Sequence, residues 1–203
     1  MKKLIAITQR VTIDPKTGER RDALDQNWMS FFEKIDATPL LIPNMLQNPE
    51  KFLKLWDVAG IILSGGNDLT HLLKAKDPAP ERDKTEKILI EYGLSKKIPM
   101  VGVCRGMEML GHYFGMRISP VNGHCATRHH IKMGATSRSV NSFHDYGILT
   151  DDVQKPFHIK ASCGNVVEAF EHEKLPIVGI MWHPEREKPS SLADLRFFKK
   201  IFS

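Results

Sequence analysis

Cysteine is scarce in this chain: Cys104, Cys125 and Cys163 make an odd count, set at no framework spacing. That excludes a disulfide scaffold and points to a reduced, cytoplasmic setting. Long apolar runs are missing too. No segment approaches the roughly 20 residues of a membrane-spanning helix, and the apolar start of "MKKLIAITQR" stops at Thr8. That is too short for a secretory leader and reads as a first buried strand. There is no internal repeat and no linker rich in Pro, Gly or Ser, so one domain over 1–203 is expected. The net charge is +5 and the pI about 9.1, yet a basic stripe is absent. Lysines and arginines alternate with acids in "KTGERRD", "APERDKTEK" and "HPEREKP". This pattern argues against general nucleic-acid binding and leaves only a modest steering field for an anionic small substrate.

What is present is an ordered alternation. "KLIAITQ", "TPLLIPN", "VAGIILSGG" and "IPMVGV" read as strands, and "DQNWMSFFEKIDA", "PEKFLKLWD" and "RDKTEKILIEYGLSKK" as the helices between them. In the first of these helices Trp28, Phe31, Phe32 and Ile35 form one apolar stripe. In the third, Asp83 and Glu86 have the spacing of a capping box. A βαβαβαβα order predicts a single three-layer α/β domain, its mostly parallel central sheet covered by helices on both faces. After Ser119 shorter strands joined by turns follow, and "SLADLRFFKKIF" closes the chain as a helix.

One stretch asks for chemistry. In "VGVCRGMEM" the fourth strand delivers Cys104 to the carboxyl edge of the sheet, where open parallel sheets bind ligands. Gly102 and Gly106 flank it as G-x-C-x-G, the cysteine form of a nucleophile elbow. A nucleophile on a strained turn leaves no room for neighbouring side chains. The helix that begins there points N–H groups at the sulfur, which is expected to lower the thiol pKa. The competing interpretation is a buried cysteine in a glycine-containing turn. "IVGIMWHPER" supplies a partner: an apolar strand ends at His183, and the residue before a proline is held extended. Positions i and i+2 then point the same way. Glu185 can thus lie beside the imidazole, fix its tautomer and stabilise the imidazolium. Cysteine, histidine and carboxylate in one chain, on such a sheet, favour nucleophilic catalysis.

These residues resemble the class I glutamine amidotransferase superfamily, and more closely its γ-glutamyl hydrolase branch. The resemblance implies a flavodoxin-like fold with no cofactor. "GVCRG" matches the nucleophile motif, making Cys104 the nucleophile. "WHPE" makes His183 the base and Glu185 its orienter. "LSGGND" matches the glycine-rich turn, placing Gly65 at the substrate and an oxyanion hole on the N–H groups of Gly66 and Arg105. "VNSFH" resembles a segment beside the pocket, which puts Ser142 and His144 there. The implied reaction is hydrolysis of a γ-glutamyl amide through a thioester, releasing glutamate and an amine. The alternatives are a glutaminase subunit feeding ammonia to a partner synthase, and a non-catalytic binding module.

Two departures from the resemblance, and the role of Arg105, bear on the substrate. Glu108 stands where the superfamily usually has Gln, four residues after Cys104. Residues i and i+4 share a helix face, so this carboxylate either approaches the thiolate, offset by a glutamyl α-ammonium, or faces solvent. "HDY", with Asp145 and Tyr146, replaces the relatives' "HHQ", which speaks for a different leaving group, anionic or nucleotide-bearing. Arg105 either clamps an anion or turns inward to brace the elbow. The loop "HCATRHH" gathers His124, Cys125, Arg128, His129 and His130. The residue types suit zinc, but the spacing matches no closed site, and no metal is expected. Its other interpretations are an anion-binding lining that includes His129, or a plain polar loop.

Overall fold

The computed structural model describes residues 3–203. Five parallel strands form the centre of one large sheet. They are β1 (Lys3–Thr8), and, in chain order after the hairpin β2 (Arg10–Ile13) and β3 (Arg20–Ala23), β4 (Ala37–Ile42), β5 (Val58–Leu63), β6 (Met100–Val103) and the later β13 (Ile177–Ile180). Their spatial order is β4-β1-β5-β6-β13, every pairing parallel. The connections are α1 (Asn27–Lys34), α2 (Pro49–Leu53), α3 (Pro80–Lys96) and α4 (Arg105–Tyr113). The remaining strands are β7 (Ser119–Pro120), β8 (Thr127–Met133), β9 (Thr136–Ser142), β10 (Tyr146–Leu149), β11 (Phe157–Cys163) and β12 (Val166–His172). They continue the sheet beyond β13 with antiparallel pairings, and α5 (Leu192–Ile201) ends the chain.

Both faces of the central strands are covered because side chains alternate along them. Ile5 and Ile7 of β1, Ile62 of β5 and Val101 and Val103 of β6 pack with Trp28, Phe31 and Phe32 of α1 and Phe198 of α5. Their neighbours Ala6, Ile61, Leu63 and Met100 face the other way, onto Leu89 and Ile90 of α3 and Met107 and Leu110 of α4. Phe31 and Phe198 meet edge to face at 4.9 Å, which ties α1 to α5. Truncating a buried phenylalanine of this kind typically costs about 3–5 kcal/mol. The expected three-layer α/β architecture is borne out, and the aromatic stripe of α1 is its clearest sequence signature.

The charged stretch "KTGERRD" is exposed along its whole length and turns the hairpin β2–β3. Asp14 caps the turn by accepting from the N–H groups of Lys16 and Thr17, and Gly18 takes a positive φ of 72°. One local expectation fails: the capping box is absent. α3 starts earlier, at Pro80, so Asp83 and Glu86 lie within it. Both carboxylates face the nucleophile turn instead, where they accept from Arg105.

Candidate active site

The turn at Cys104 is strained as its flanking glycines predict. Cys104 has φ 53° and ψ −113°, a backbone conformation that costs a non-glycine residue of order 1–3 kcal/mol. A Cβ on Gly102 would lie 2.4 Å from the Gly106 carbonyl oxygen, and one on Gly106 would lie 2.0 Å from that of Leu63. No side chain fits at either position. The Cys104 N–H donates to Ile180 O of β13 at 2.8 Å, and Cys104 O accepts from Met107 of α4 at 2.8 Å, fixing the turn between strand and helix.

His183 and Glu185 meet as anticipated, by a slightly different route. His183 is extended, but Pro184–Arg186 form a turn of 3-10 helix rather than continuing straight. The imidazole Nδ1 still lies 2.7 Å from a Glu185 carboxylate oxygen, with both side chains buried. That pairing assigns the proton to Nδ1 and leaves Nε2 as an acceptor. Gly65 occupies the gap beside it. A Cβ there would stand 2.6 Å from His183 Cε1, 3.3 Å from Nε2 and 3.4 Å from Cys104 Cβ. Gly65 was expected to touch substrate; its observed position separates the cysteine from the histidine and keeps that space open.

Behind the glycine turn lies a buried ionic network. Arg82 donates to the carbonyls of Ser64 at 2.6 Å, Gly65 at 3.1 Å and Gly66, and to Glu86 at 2.9 Å. Arg105 pairs with the other Glu86 oxygen and with Asp83, and Thr8 donates to Glu86 at 2.8 Å. Burial opposes the Glu86 charge, but the two guanidinium groups outweigh it and hold the carboxyl below its ordinary range. Burial, with the neighbouring Arg105 charge, pushes Arg82 down to about 10. The Arg105 side chain therefore clamps no substrate. Its guanidinium is spent on the interior, and only its backbone N–H faces the sulfur, where it favours the thiolate.

The thiol nevertheless does not have the lowered pKa expected of a helix N-terminus. Burial raises it strongly, the Glu108 carboxylate adds to the effect, and the Arg105 N–H only partly opposes them. In the free protein the thiol is the resting form. Glu108 is itself buried, not solvent-facing, and burial pushes its carboxyl up to about 7, against the pull of His144 and Arg105.

Cys104, Glu108 and His183 line one cavity of about 400 Å³. Around it stand Arg10 of the hairpin, Lys76, Arg186, His144, Asp145 and Tyr146. Lys76 pairs with Asp145 at 2.8 Å, and Arg186 lies over the Phe143 ring at 4.9 Å. Two expected lining residues are elsewhere. Ser142 is fully buried and donates to the His124 carbonyl, and His129 faces Glu168 at 3.3 Å instead of the cavity. Both lie on paired strands whose alternation turns these side chains away from it. Sequence reasoning missed Arg10, because its hairpin was unrecognised, and Asn141. The Asn141 amide accepts from the His183 N–H at 2.9 Å and donates to the His183 carbonyl at 2.9 Å and to Glu187 at 2.7 Å. It thus fixes the histidine from a strand 42 residues away in sequence.

A strained buried cysteine and a carboxylate-paired histidine thus face one another across an open gap. A family model described as Peptidase C26 matches residues 3–131 and 112–185. The chain belongs to the peptidase C26 family. The chain is 36% identical over 204 residues to the γ-glutamyl-CDP-amidate hydrolase of Campylobacter jejuni, covering 98% of this chain and 97% of that protein. It is 28% identical over 175 residues to anthranilate synthase component 2 of Thermococcus kodakarensis, covering 81% and 83%. The fold matches the crystal structure of a glutamine amidotransferase from Thermotoga maritima with a TM-score of 0.68, over 98% of this chain and 84% of that one. At 16% identity that likeness concerns the fold alone. Among the described residues no helix is long and apolar enough to cross a membrane.

Proposed function

We propose that this C26 protein hydrolyses a γ-glutamyl amide whose leaving amine is anionic, with γ-glutamyl-CDP-amidate as the substrate. The observation that carries the reading is the meeting of Cys104, His183–Glu185 and Glu108 at one cavity bordered by Arg10, Lys76 and Arg186. The full-length similarity to the Campylobacter enzyme supports the substrate. Arg10, Lys76 and Arg186 are paired with Asp77, Asp145 and Asp25, and supply charged donors to a diphosphate that displaces those carboxylates.

In this reading substrate enters with its α-ammonium toward Glu108, whose charge the ammonium stabilises. Cys104 Sγ attacks the γ-carbonyl carbon while His183 Nε2 takes the thiol proton, and Glu185 stabilises the imidazolium. The oxyanion rests on the N–H groups of Gly66 and Arg105; one such donor is typically worth about 100- to 1,000-fold in rate. The intermediate expels the amine, which takes the proton from His183, and leaves a γ-glutamyl thioester. Water, deprotonated by His183, then attacks the thioester; glutamate departs and the thiol is restored. The chemistry needs no metal or organic cofactor. Residues 1–203 act as one catalytic unit in this scheme, in the cytoplasm, where its three unpaired cysteines stay reduced.

A second reading, a glutaminase subunit delivering ammonia to a partner synthase, draws on the similarity to anthranilate synthase component 2. Glutamate release by the purified protein alone separates the two. The panel is glutamine, γ-glutamyl-γ-aminobutyrate, a γ-glutamyl peptide, and γ-glutamyl phosphoramidates with and without CDP. Fast turnover of the CDP compound, with Cys104→Ala lowering kcat by at least about 10⁴-fold while the circular dichroism is unchanged, is the expected result. Slow release from glutamine alone favours the subunit reading, and full activity of Cys104→Ala removes both.

A further inference from the structure

The histidine loop that the proposed reaction leaves unused closes on a buried carboxylate from another strand. Glu168 of β12 is fully buried, yet neither of its oxygens accepts a hydrogen bond. Three imidazole nitrogens surround its Oε1: His124 Nδ1 at 3.1 Å, His129 Nε2 at 3.3 Å and His144 Nε2 at 3.6 Å. None has hydrogen-bond geometry to it, and all three nitrogens are buried without a partner. Buried polar atoms are rarely left so, and a group of five such atoms facing one another calls for a ligand among them.

The nature of that ligand follows from the donors. His144 Nδ1 lies 2.7 Å from the Tyr146 carbonyl and so carries a proton for it. In the neutral ring Nε2 then presents a lone pair toward the Glu168 carboxylate. A neutral imidazole held by a backbone carbonyl on its far nitrogen is the usual arrangement of a metal-bound histidine. Imidazole protons can satisfy the carboxylate only where an N–H is aimed at it, and none of the three is; one cation can instead take the His124 and His144 nitrogens together with the carboxylate. Bonds of about 2.0–2.1 Å in a tetrahedron separate neighbouring ligand atoms by about 3.3–3.4 Å, and the 3.1 and 3.6 Å from Glu168 Oε1 to those two nitrogens lie on either side of this value.

We propose that His124, His144 and Glu168, whose ligand atoms all lie within 4.8 Å of one another, form a buried divalent-metal site, filled by Zn²⁺. Imidazole and carboxylate donors suit zinc. Its ligands come from the loop before β8, from the β9–β10 turn and from β12, while His129 of β8 groups with His124 and Cys163 instead. The ion would pin the segment carrying His144, whose ring lines the substrate cavity, to the antiparallel part of the sheet. The proposal departs from the sequence expectation of no metal. The spacing inside "HCATRHH" is incomplete because the other two ligands lie 20 and 44 residues beyond His124. Cys163 Sγ stands close to His124 and His129 and is the competing donor.

The test uses the tag-free full chain carrying Cys104→Ser, which removes the cavity thiol as a rival ligand. After loading with ZnCl₂ and desalting, one zinc per chain is expected, with only nitrogen and oxygen scatterers near 2.0 Å in its X-ray absorption spectrum. Glu168→Gln and His124→Gln should each weaken zinc binding by more than about 100-fold, beyond the loss typical of an outer-shell partner. Chelation should lower the Tm, and added zinc should restore it. Substoichiometric zinc, a sulfur scatterer, or unchanged affinity in both variants overturns the assignment. If the variants do not fold, nitrogen NMR of the zinc-loaded chain decides instead, and a doubly protonated His144 rejects the site. None of these readouts depends on turnover, so they stand apart from the hydrolase reading.

Discussion

The two halves of the sheet place their functional side chains by different means. In the parallel half, Cys104 is positioned by backbone sterics: a positive φ, and glycines at 102 and 106 that no larger residue can replace. His183, just beyond β13 where the parallel and antiparallel halves meet, is positioned by hydrogen bonds: Asn141 reaches across from antiparallel β9 to hold its backbone, and nearby Glu185 holds its ring. Steric placement is written in adjacent residues, while placement by hydrogen bonds is spread through the chain. The first kind fails abruptly when altered. The second can fail by degrees, because each bond contributes on the order of 1 kcal/mol.

Substitutions at the boundary of the two halves sharpen this contrast. The largest effect is expected at Gly65→Ala. The new methyl group would press on the His183 ring at 2.6 Å, and a displacement of about 1 Å between reacting groups typically costs about 100-fold. We expect kcat to drop by that factor with little change in Tm. Asn141→Ala comes next. It leaves the His183 N–H without a partner and removes one of the two donors to its carbonyl, and should cost about 1–3 kcal/mol of stability in denaturant titration. Its kcat should fall by about 10-fold, less than for Gly65→Ala because the ring stays paired with Glu185. A larger kcat loss for Asn141→Ala than for Gly65→Ala would refute the distinction between the halves.

The smallest effect concerns Glu108 and is read as a function of pH. Its carboxyl is held up at about 7, so it is charged above that pH and neutral below. If it receives the substrate α-ammonium, kcat/KM should fall as pH drops below about 7, through a rise in KM. Glu108→Gln should raise KM by roughly 10-fold, the loss of a hydrogen bond to a charged group, and flatten that acid limb. An unchanged KM across the pH series would remove Glu108 from the substrate's ammonium.

The same division explains what could be read from sequence. The three-layer order, the aromatic stripe of α1, the strained elbow and the His183–Glu185 pair all rest on short-range periodicity or spacing, and the structure reproduces them. The inward turn of Arg105 was left open, because the chain segment around it does not reveal that Asp83 and Glu86 of α3 wait there. Asp83 and Glu86 were misjudged as a helix cap for the same reason. Ser142 and His129 sit near the cavity in sequence order but on strand faces turned from it. Arg10 needed the hairpin, which the interleaved charges of its turn do not announce. The histidine loop looked incomplete because Glu168 and His144 arrive through strand pairing. Each miss is a contact between distant segments that local spacing cannot encode.

Glu86 deserves a last consequence. One of its oxygens takes Arg82, which grips the three carbonyls of the Ser64–Gly66 turn, and the other takes Arg105, the residue next to Cys104. The distance from the glycine turn to the cysteine turn is therefore gauged by a single carboxylate the substrate never meets. Rim residues such as Lys76 and Arg186 can be exchanged to accept new leaving groups while that gauge stays constant. The fold thus separates what the protein recognises from how far apart its two turns are held.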